Sequence, residues 1–205
     1  MRSIPGRCGG SMIVEGIDLP DHLMTEHSPL VLYRIHDKDY SPLFFGRTGN
    51  YRFDAPDQSF GVLYAASTRE GAFVEAVLRQ KTGRSIRIIS RTCLATRKLS
   101  TLVLGRPATM AKLRDNGLAA NHTNSETSSI EPYIISQIFS RALHQHIDRV
   151  SGIAYRCRHD NEQVAWAFFD RSHTLFDRHD TPPETLDLDE EWLEDLEDRY
   201  GIVID

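Results

Sequence analysis

The sequence is poor in several features that would make a function easy to read. Among 205 residues there are three cysteines, Cys8, Cys93 and Cys157, widely spaced and with no C-x-x-C pair. An odd number at that spacing excludes a disulfide framework and argues against a structural zinc site. The histidines show no recognised metal-ligand pattern. His144 and His146, two apart, would point to different faces of a helix, and His122, His159, His173 and His179 have no ligand spacing. No apolar run approaches the roughly 20 residues that cross a bilayer. The opening MRSIPGRCGGSMIVEG lacks the apolar stretch of about 7–15 residues found in a secretory signal. There is no Walker pattern, no G-x-G-x-x-G and no Lys/Arg-rich block. Together these absences argue against metal catalysis, a membrane span and direct nucleic-acid binding. A reduced, soluble, cytoplasmic protein is the expectation.

What is present is a charge asymmetry. The chain carries 24 Lys+Arg against 29 Asp+Glu, a net charge of −5. Ten of the acids and one base lie between Glu184 and Asp205, which leaves 23 bases and 19 acids for residues 1–183. A mildly basic body of this kind attracts phosphate-bearing small molecules. The tail reads as a short amphipathic helix with a solvated acidic face, anchored by Trp192, Leu193 and Leu196. With 40% hydrophobic residues the body is large enough for one sizeable core.

Residues 1–28 show no periodicity and read as an N-terminal arm. Strands are expected at 29–35 and 62–66, separated by a long loop over 41–61 punctuated by Gly46, Gly49, Pro56 and Gly61. Ser67 and Glu70 fit a capping box, which predicts a helix running to about Gln80 and stopped by Gly83. Further strands are expected in SIRIIS (85–90), TCLA (92–95) and STLVLG (100–105). Pro107 at a first helical position predicts a helix to about Asn116, followed by a polar loop over 117–129. The clearest helix spans about 130–147, with Ile134, Ile135, Ile138, Phe139, Ala142, Leu143 and Ile147 in one stripe. GIAYRC (152–157) and VAWAFFD (164–170) read as closing strands. The mixture predicts an α+β fold built from hairpins rather than regular βαβ alternation.

Several residues could carry chemistry. Arg34 lies in an otherwise apolar strand, where a guanidinium is costly to bury unless it meets a carboxylate or phosphate; an Arg at a strand end can also keep its head in water. GRTGNYRF, with Arg47 and Arg52, has the glycines and forked donors of a phosphate-cradling loop, and equally the make-up of an ordinary turn. Tyr64 precedes the helix that carries Glu75. At 100° per residue, Glu75 falls about 60° from Leu78, at the edge of the apolar stripe. Small Gly71 and Ala72 lie one turn back. That carboxylate could face a cleft or water. Ser136 and Cys157 are nucleophiles by type, without an adjacent base, and Cys157 reads more simply as a small buried hydrophobe.

Taken in order, LYRI with Arg34, YRF with Arg52, VLYAASTREGAFVEAV with Tyr64 and Glu75, and EPYIISQIFSRAL followed by SGIAYRCR resemble the RES domain family over about residues 29–170. The resemblance implies a split, mostly antiparallel sheet with flanking helices, similar to the ADP-ribosyltransferase toxins, with the catalytic domain at 29–183 and the acidic tail at 184–205. It implies a toxin of a bacterial toxin–antitoxin pair that consumes NAD+ as substrate without a metal. It also implies a helix-turn-helix, Xre-type antitoxin that masks the cleft, and a homodimer within the assembly. On this reading Arg34, Arg47 and Arg52 hold phosphate or ribose oxygens, Tyr64 packs on nicotinamide and Glu75 stabilises the reacting ribose. Cys157 stands where the family usually has Ser. Transfer of ADP-ribose to a protein, and a catalytically silent binding module, are the alternatives.

Overall fold

The computed structural model describes residues 13–14, 17–78, 87–128, 132–177 and 182–205. Two short strands, Ile13–Val14 (β1) and Ile17–Asp18 (β2), pair with each other. Then follow Thr25–His27 (β3), Val31–Asp37 (β4), Val62–Ala66 (β5), helix Arg69–Ala76 (α1), Arg87–Ile89 (β6), the helical turn Arg91–Leu94 (α2), Arg97–Val103 (β7) and Thr109–Leu113 (β8). Helices Asn116–Ala120 (α3) and Ile134–Gln145 (α4), strands Gly152–Cys157 (β9), Asp160–Phe169 (β10) and Glu184–Thr185 (β11), helix Glu190–Tyr200 (α5) and strand Ile202–Ile204 (β12) complete the order.

The main sheet has eight strands in the order β11-β7-β4-β5-β10-β9-β8-β3. Every neighbouring pair is antiparallel except β8 with β9. This is the α+β architecture expected, a mostly antiparallel sheet with flanking helices. Strand alternation divides the apolar residues between two faces. Val62 and Ala66 of β5, with Ala165, Ala167 and Phe169 of β10, join Phe73, Leu143 and Trp192 from the helices in the larger core. Leu63, Ala65, Trp166 and Phe168 turn to the other face and pack with Leu32, Leu102, Met110 and Phe176.

The helix that matters for the site begins one residue later than the capping box predicts. Thr68, not Ser67, caps α1: its side chain accepts the Gly71 N–H at 2.9 Å. Ser67 instead accepts the indole N–H of Trp166 (2.9 Å), and Glu70 accepts that of Trp192 (3.1 Å). Both side chains of the proposed box are recruited by more distant indoles. A Cβ on Gly71 would lie 3.0 Å from the Ala66 Cβ, so the missing side chain lets the first turn of α1 press onto β5. Gln80 and Gly83 lie outside the described residues.

Elsewhere pairing overrides local preference. The predicted helix from Pro107 is strand β8, held on one side by β9 and on the other by β3, and the residues read as a polar loop include α3. Ala, Met, Lys and Leu favour helix weakly, and two neighbouring strands outweigh that. The predicted strand TCLA is α2, a single turn that buries Leu94 and is closed by the Thr96 hydroxyl on the Cys93 carbonyl (2.7 Å). Thr25–His27, inside the stretch read as an arm, forms an edge strand. Of the predicted α4 stripe, Phe139, Ala142 and Leu143 are buried, whereas Ile134, Ile135 and Ile147 are exposed.

The acidic tail is fastened to α1. Asp189 caps α5 and takes the Arg69 guanidinium at 2.6 Å, and Glu190 receives both terminal nitrogens of Arg91 at 2.7 Å. Trp192 meets Phe73 edge-on and lies under Arg69. Trp192, Leu193 and Leu196 are buried, as the amphipathic reading expects. Beyond the helix, β12 pairs parallel with β6.

Candidate active site

The site is a parting in the sheet. β4 and β5 share one register pair, Tyr33 with Ala66. Continued pairing would bring Val62 toward Asp37, but Val62 exchanges both backbone hydrogen bonds with Gly46 instead (3.0 and 2.8 Å). Between the separated strands lies a cavity of about 290 Å³. One wall is Tyr33–Asp37 of β4 with Arg97 beside it; the other is Val62, Tyr64 and Ala65 of β5. Ala72, Glu75 and Ala76 of α1 close one side, and the loop contributes Tyr40, Phe44, Gly46, Thr48 and Tyr51.

Loop placement depends on one buried carboxylate. Asp54, 1% exposed, accepts from the Tyr64 hydroxyl (3.0 Å), the Thr48 hydroxyl (3.0 Å) and the Tyr51 N–H (3.2 Å). The same Tyr64 oxygen accepts the Phe53 N–H at 2.9 Å. The Tyr64 hydroxyl is therefore occupied in holding the loop, which leaves its ring as the surface turned to the cavity. From the other side, α4 grips the loop through Gln137 on the Gly49 and Tyr51 carbonyls (2.7 and 3.0 Å) and Ser140 on the Phe53 carbonyl (2.7 Å).

Glu75 lines the cavity and is 8% exposed. Behind it, the Tyr155 hydroxyl donates to Oε2 at 2.9 Å. The Cys157 thiol lies between that carboxylate and the Gly71 carbonyl, 3.9 Å from the latter. Arg52 completes this buried layer. Its guanidinium lies 5.3 Å from the centre of the Tyr155 ring and 5.9 Å from those of Phe53 and Tyr133. None of its three nitrogens has a hydrogen-bond acceptor among the described residues. Burial works against its charge, and the Glu75 carboxylate and surrounding phenols more than offset that, so its pKa lies above the ordinary value. Burial and then Glu75 push the Tyr155 phenol and the Cys157 thiol well up. Cys157 is consequently a neutral thiol, unsuited to nucleophilic attack.

The opposite side of the cavity is cationic. The Arg34 Nη1 is shut off from solvent without a hydrogen-bond partner among the described residues, and burial lowers the pKa of this Arg to about 10. A buried guanidinium nitrogen with no acceptor among the described residues is suited to an anionic group. His36 donates from Nδ1 to the Asp37 carbonyl (2.8 Å), so its Nε2 accepts the Ser100 hydroxyl (2.8 Å). Burial holds it below the ordinary range, as do the charges of Arg34 and Lys98.

Of the residues singled out from sequence, Arg34, Tyr64 and Glu75 therefore meet at one cavity. Arg52 and Cys157 lie in the layer behind Glu75 and do not line it. Arg47 turns outward to Asp170 (2.6 Å), and Ser136 is buried in α4 away from the cavity. Sequence reasoning missed Tyr155, Asp54, His36, Arg97, Tyr40, Phe44 and Tyr51. Tyr155 alone had a usable signal, a phenol closing the apolar run Gly152–Ala154 two residues before Cys157. Among the described residues no group of three His, Cys, Asp or Glu could hold a metal ion, and no helix is long and apolar enough to cross a membrane.

The open wedge in this mostly antiparallel sheet thus brings a carboxylate, Glu75, and a guanidinium, Arg34, to one cavity. The fold matches that in the crystal structure of the M. tuberculosis MbcT–MbcA toxin–antitoxin complex, with a TM-score of 0.59, 14% sequence identity, and coverage of 82% of this chain and 89% of that one. A comparison with curated proteins finds no match. The family model described as the RES domain matches residues 31–191, and the chain belongs to that family.

Proposed function

We propose that this protein is the toxin of a bacterial toxin–antitoxin pair and cleaves the nicotinamide–ribose bond of NAD+. The observation that carries the reading is Glu75: a carboxylate on the cavity, oriented by Tyr155 and opposed by the unpaired Arg34, in a RES-domain chain. Arg34 takes the diphosphate through charge-assisted hydrogen bonds. The Tyr64 ring packs on nicotinamide. Glu75 hydrogen-bonds the ribose hydroxyls and stabilises positive charge at C1′ as the C–N bond lengthens.

In the reaction the bonding pair goes to the pyridine nitrogen, which leaves as neutral nicotinamide. A water or inorganic phosphate oxygen then bonds C1′, and a proton is lost from the attacking group. Arg52 and Cys157 act behind Glu75, Arg52 by offsetting its charge. Cys157 in the usual Ser position does not favour a silent module, because it stands off the cavity. The matched structure is a toxin–antitoxin complex, which supports an antitoxin partner; an Xre-type antitoxin, a dimeric assembly and a cytoplasmic setting follow from the family resemblance.

The test is nicotinamide release from NAD+ by the purified chain, with and without inorganic phosphate, beside Glu75→Gln. Wild type is expected to release nicotinamide, and Glu75→Gln to lose about three orders of magnitude in kcat. Phosphate dependence would identify phosphorolysis. Release at an equal rate by Glu75→Gln would overturn the assignment of the carboxylate, and labelled ADP-ribose appearing on a macromolecule would identify protein modification.

A further inference from the structure

We infer that the stacked pair Tyr40–Phe44, with Arg97, is the binding site for the purine end of a dinucleotide, and that it makes the enzyme select NAD+ over mononucleotides. The inference rests on the NAD+ reading above and adds the part of the substrate that is remote from the reacting bond.

Sheet register gives the cavity its two ends. Tyr33, Ala66, Ala165 and Tyr155 form one row across four strands. Tyr155 holds Glu75, so the carboxylate belongs to this row. Arg97 is paired with Asp37, four residues further along β4. At about 3.3 Å per residue the two ends are offset by roughly 13 Å along the strand direction. Arg34 and His36 lie between them, where a diphosphate would fall if the nicotinamide riboside is held at Glu75.

The far end is built for a flat ring. The Tyr40 N–H bonds the Asp37 carbonyl at 3.1 Å, which turns the chain back over this end. Tyr40 and Phe44 stack with centroids 4.8 Å apart and planes within 19°, yet they remain 54% and 42% exposed. Two aromatic rings left in water at the mouth of the cavity present a face for stacking. The Arg97 side chain has no hydrogen bond or ion pair among the described residues, and its guanidinium is suited to phosphate. One Asp37 oxygen accepts the Asp39 N–H (3.0 Å), and the other can accept a ribose hydroxyl. Stacking on aromatic side chains is the strongest sequence-tolerant handle on a base.

The experiment compares kcat/KM for NAD+ and for nicotinamide mononucleotide in the full chain, Tyr40→Ala, Phe44→Ala and Arg97→Gln. The expected result is a wild-type preference for NAD+ that falls about tenfold in each variant. A preference unchanged from wild type in the aromatic variants would overturn the inference. A wild type that cleaves neither compound would sink the NAD+ reading instead. The subsite is then tested by ADP binding in calorimetry: a loss of about tenfold in Tyr40→Ala supports it, and equal binding overturns it.

Discussion

Two seams of one sheet behave in opposite ways. β10 is matched to β5 without a break over five register pairs, and to β9 over six, with one irregularity between Asp160 and Val164. The β4–β5 seam keeps one. On the closed seam Ala154, Ala165, Ala167 and Phe168 are buried and the backbone groups satisfy one another. At the open seam the chain gives up pairing, and Arg34, His36, Tyr64 and Glu75 occupy the space. Where the strands part, side chains rather than a neighbouring backbone fill the space, and the cavity forms there. The unpartnered nitrogen of Arg34 is one consequence. Its burial cost is carried by a scaffold whose stability comes from the other seam.

The strongest way to break that contrast is to force the closed seam open. A Cβ on Gly152 would lie 2.1 Å from the Ala167 carbonyl oxygen and 2.9 Å from the Phe168 Cα, both backbone atoms of the neighbouring strand. Gly152→Ala must separate β9 from β10 and is expected to cost more than about 3 kcal/mol. Thermal unfolding followed by circular dichroism would show it as a large fall in Tm or no cooperative transition. Wild-type melting by this variant would mean that the seam tolerates far more movement than its register suggests.

Smaller changes sharpen the comparison at the carboxylate that joins the two seams. Tyr155 belongs to the closed side and Glu75 to the open one. Tyr155→Phe removes the hydroxyl that orients Oε2 and keeps the ring. Its expected effect is a fall of about tenfold in kcat for nicotinamide release with little change in KM, and a stability loss of about 1 kcal/mol. Equal falls in kcat and kcat/KM agree with that; a rise in KM alone would show that Tyr155 serves binding. Cys157→Ser restores the family's usual residue and supplies a stronger donor to the same carboxylate. Because the side chain stands off the cavity, kcat is expected to change by less than about threefold. A gain of a hundredfold or more would instead mark the wild type as an impaired enzyme.

The same contrast explains what could be read from sequence. β5 and β9 are found within their predicted bounds because apolar runs flanked by turn residues describe buried strands, and their pairing only confirms the local pattern. The helix after Tyr64 was legible from Phe73 and Val74, and with it Glu75. The open seam was legible only in part. Arg34 stood out as a charge in an apolar run, but nothing local shows that Gly46 captures Val62 and so creates the cavity. Arg52 looked like a ligand-gripping cation because its neighbours are Gly, Asn and Tyr. Only the fold reveals that α4 and the Tyr155 ring enclose it. Strand β8 was misread because its side chains carry a helical preference and its partners, β9 (Met110 with Gly152) and β3 (Thr25 with Ala111), are remote in sequence.

Acid offers the mildest probe, and at His144 it acts on the closed side. His144 stacks on Phe60 with centroids 4.1 Å apart, meets Phe169 edge-on, and accepts the Arg171 guanidinium at its carbonyl. Burial, reinforced by the Arg171 charge, lowers its pKa from 6.5 to about 4. For a base with a depressed folded-state pKa, the unfolded chain binds the proton first. Stability attributable to this ring is therefore present above pH 6.5 and is lost progressively as pH falls toward 4. Because the ring is only partly buried, screening keeps the effect to about 1 kcal/mol, well below what the shift alone suggests. His144→Phe keeps the stacking and removes the titration, so its Tm should fall less steeply between pH 6.5 and 4. Parallel Tm–pH curves for the two proteins would place the acid sensitivity elsewhere, and a change in KM for NAD+ at pH 7 would show that the closed seam reaches the cavity after all.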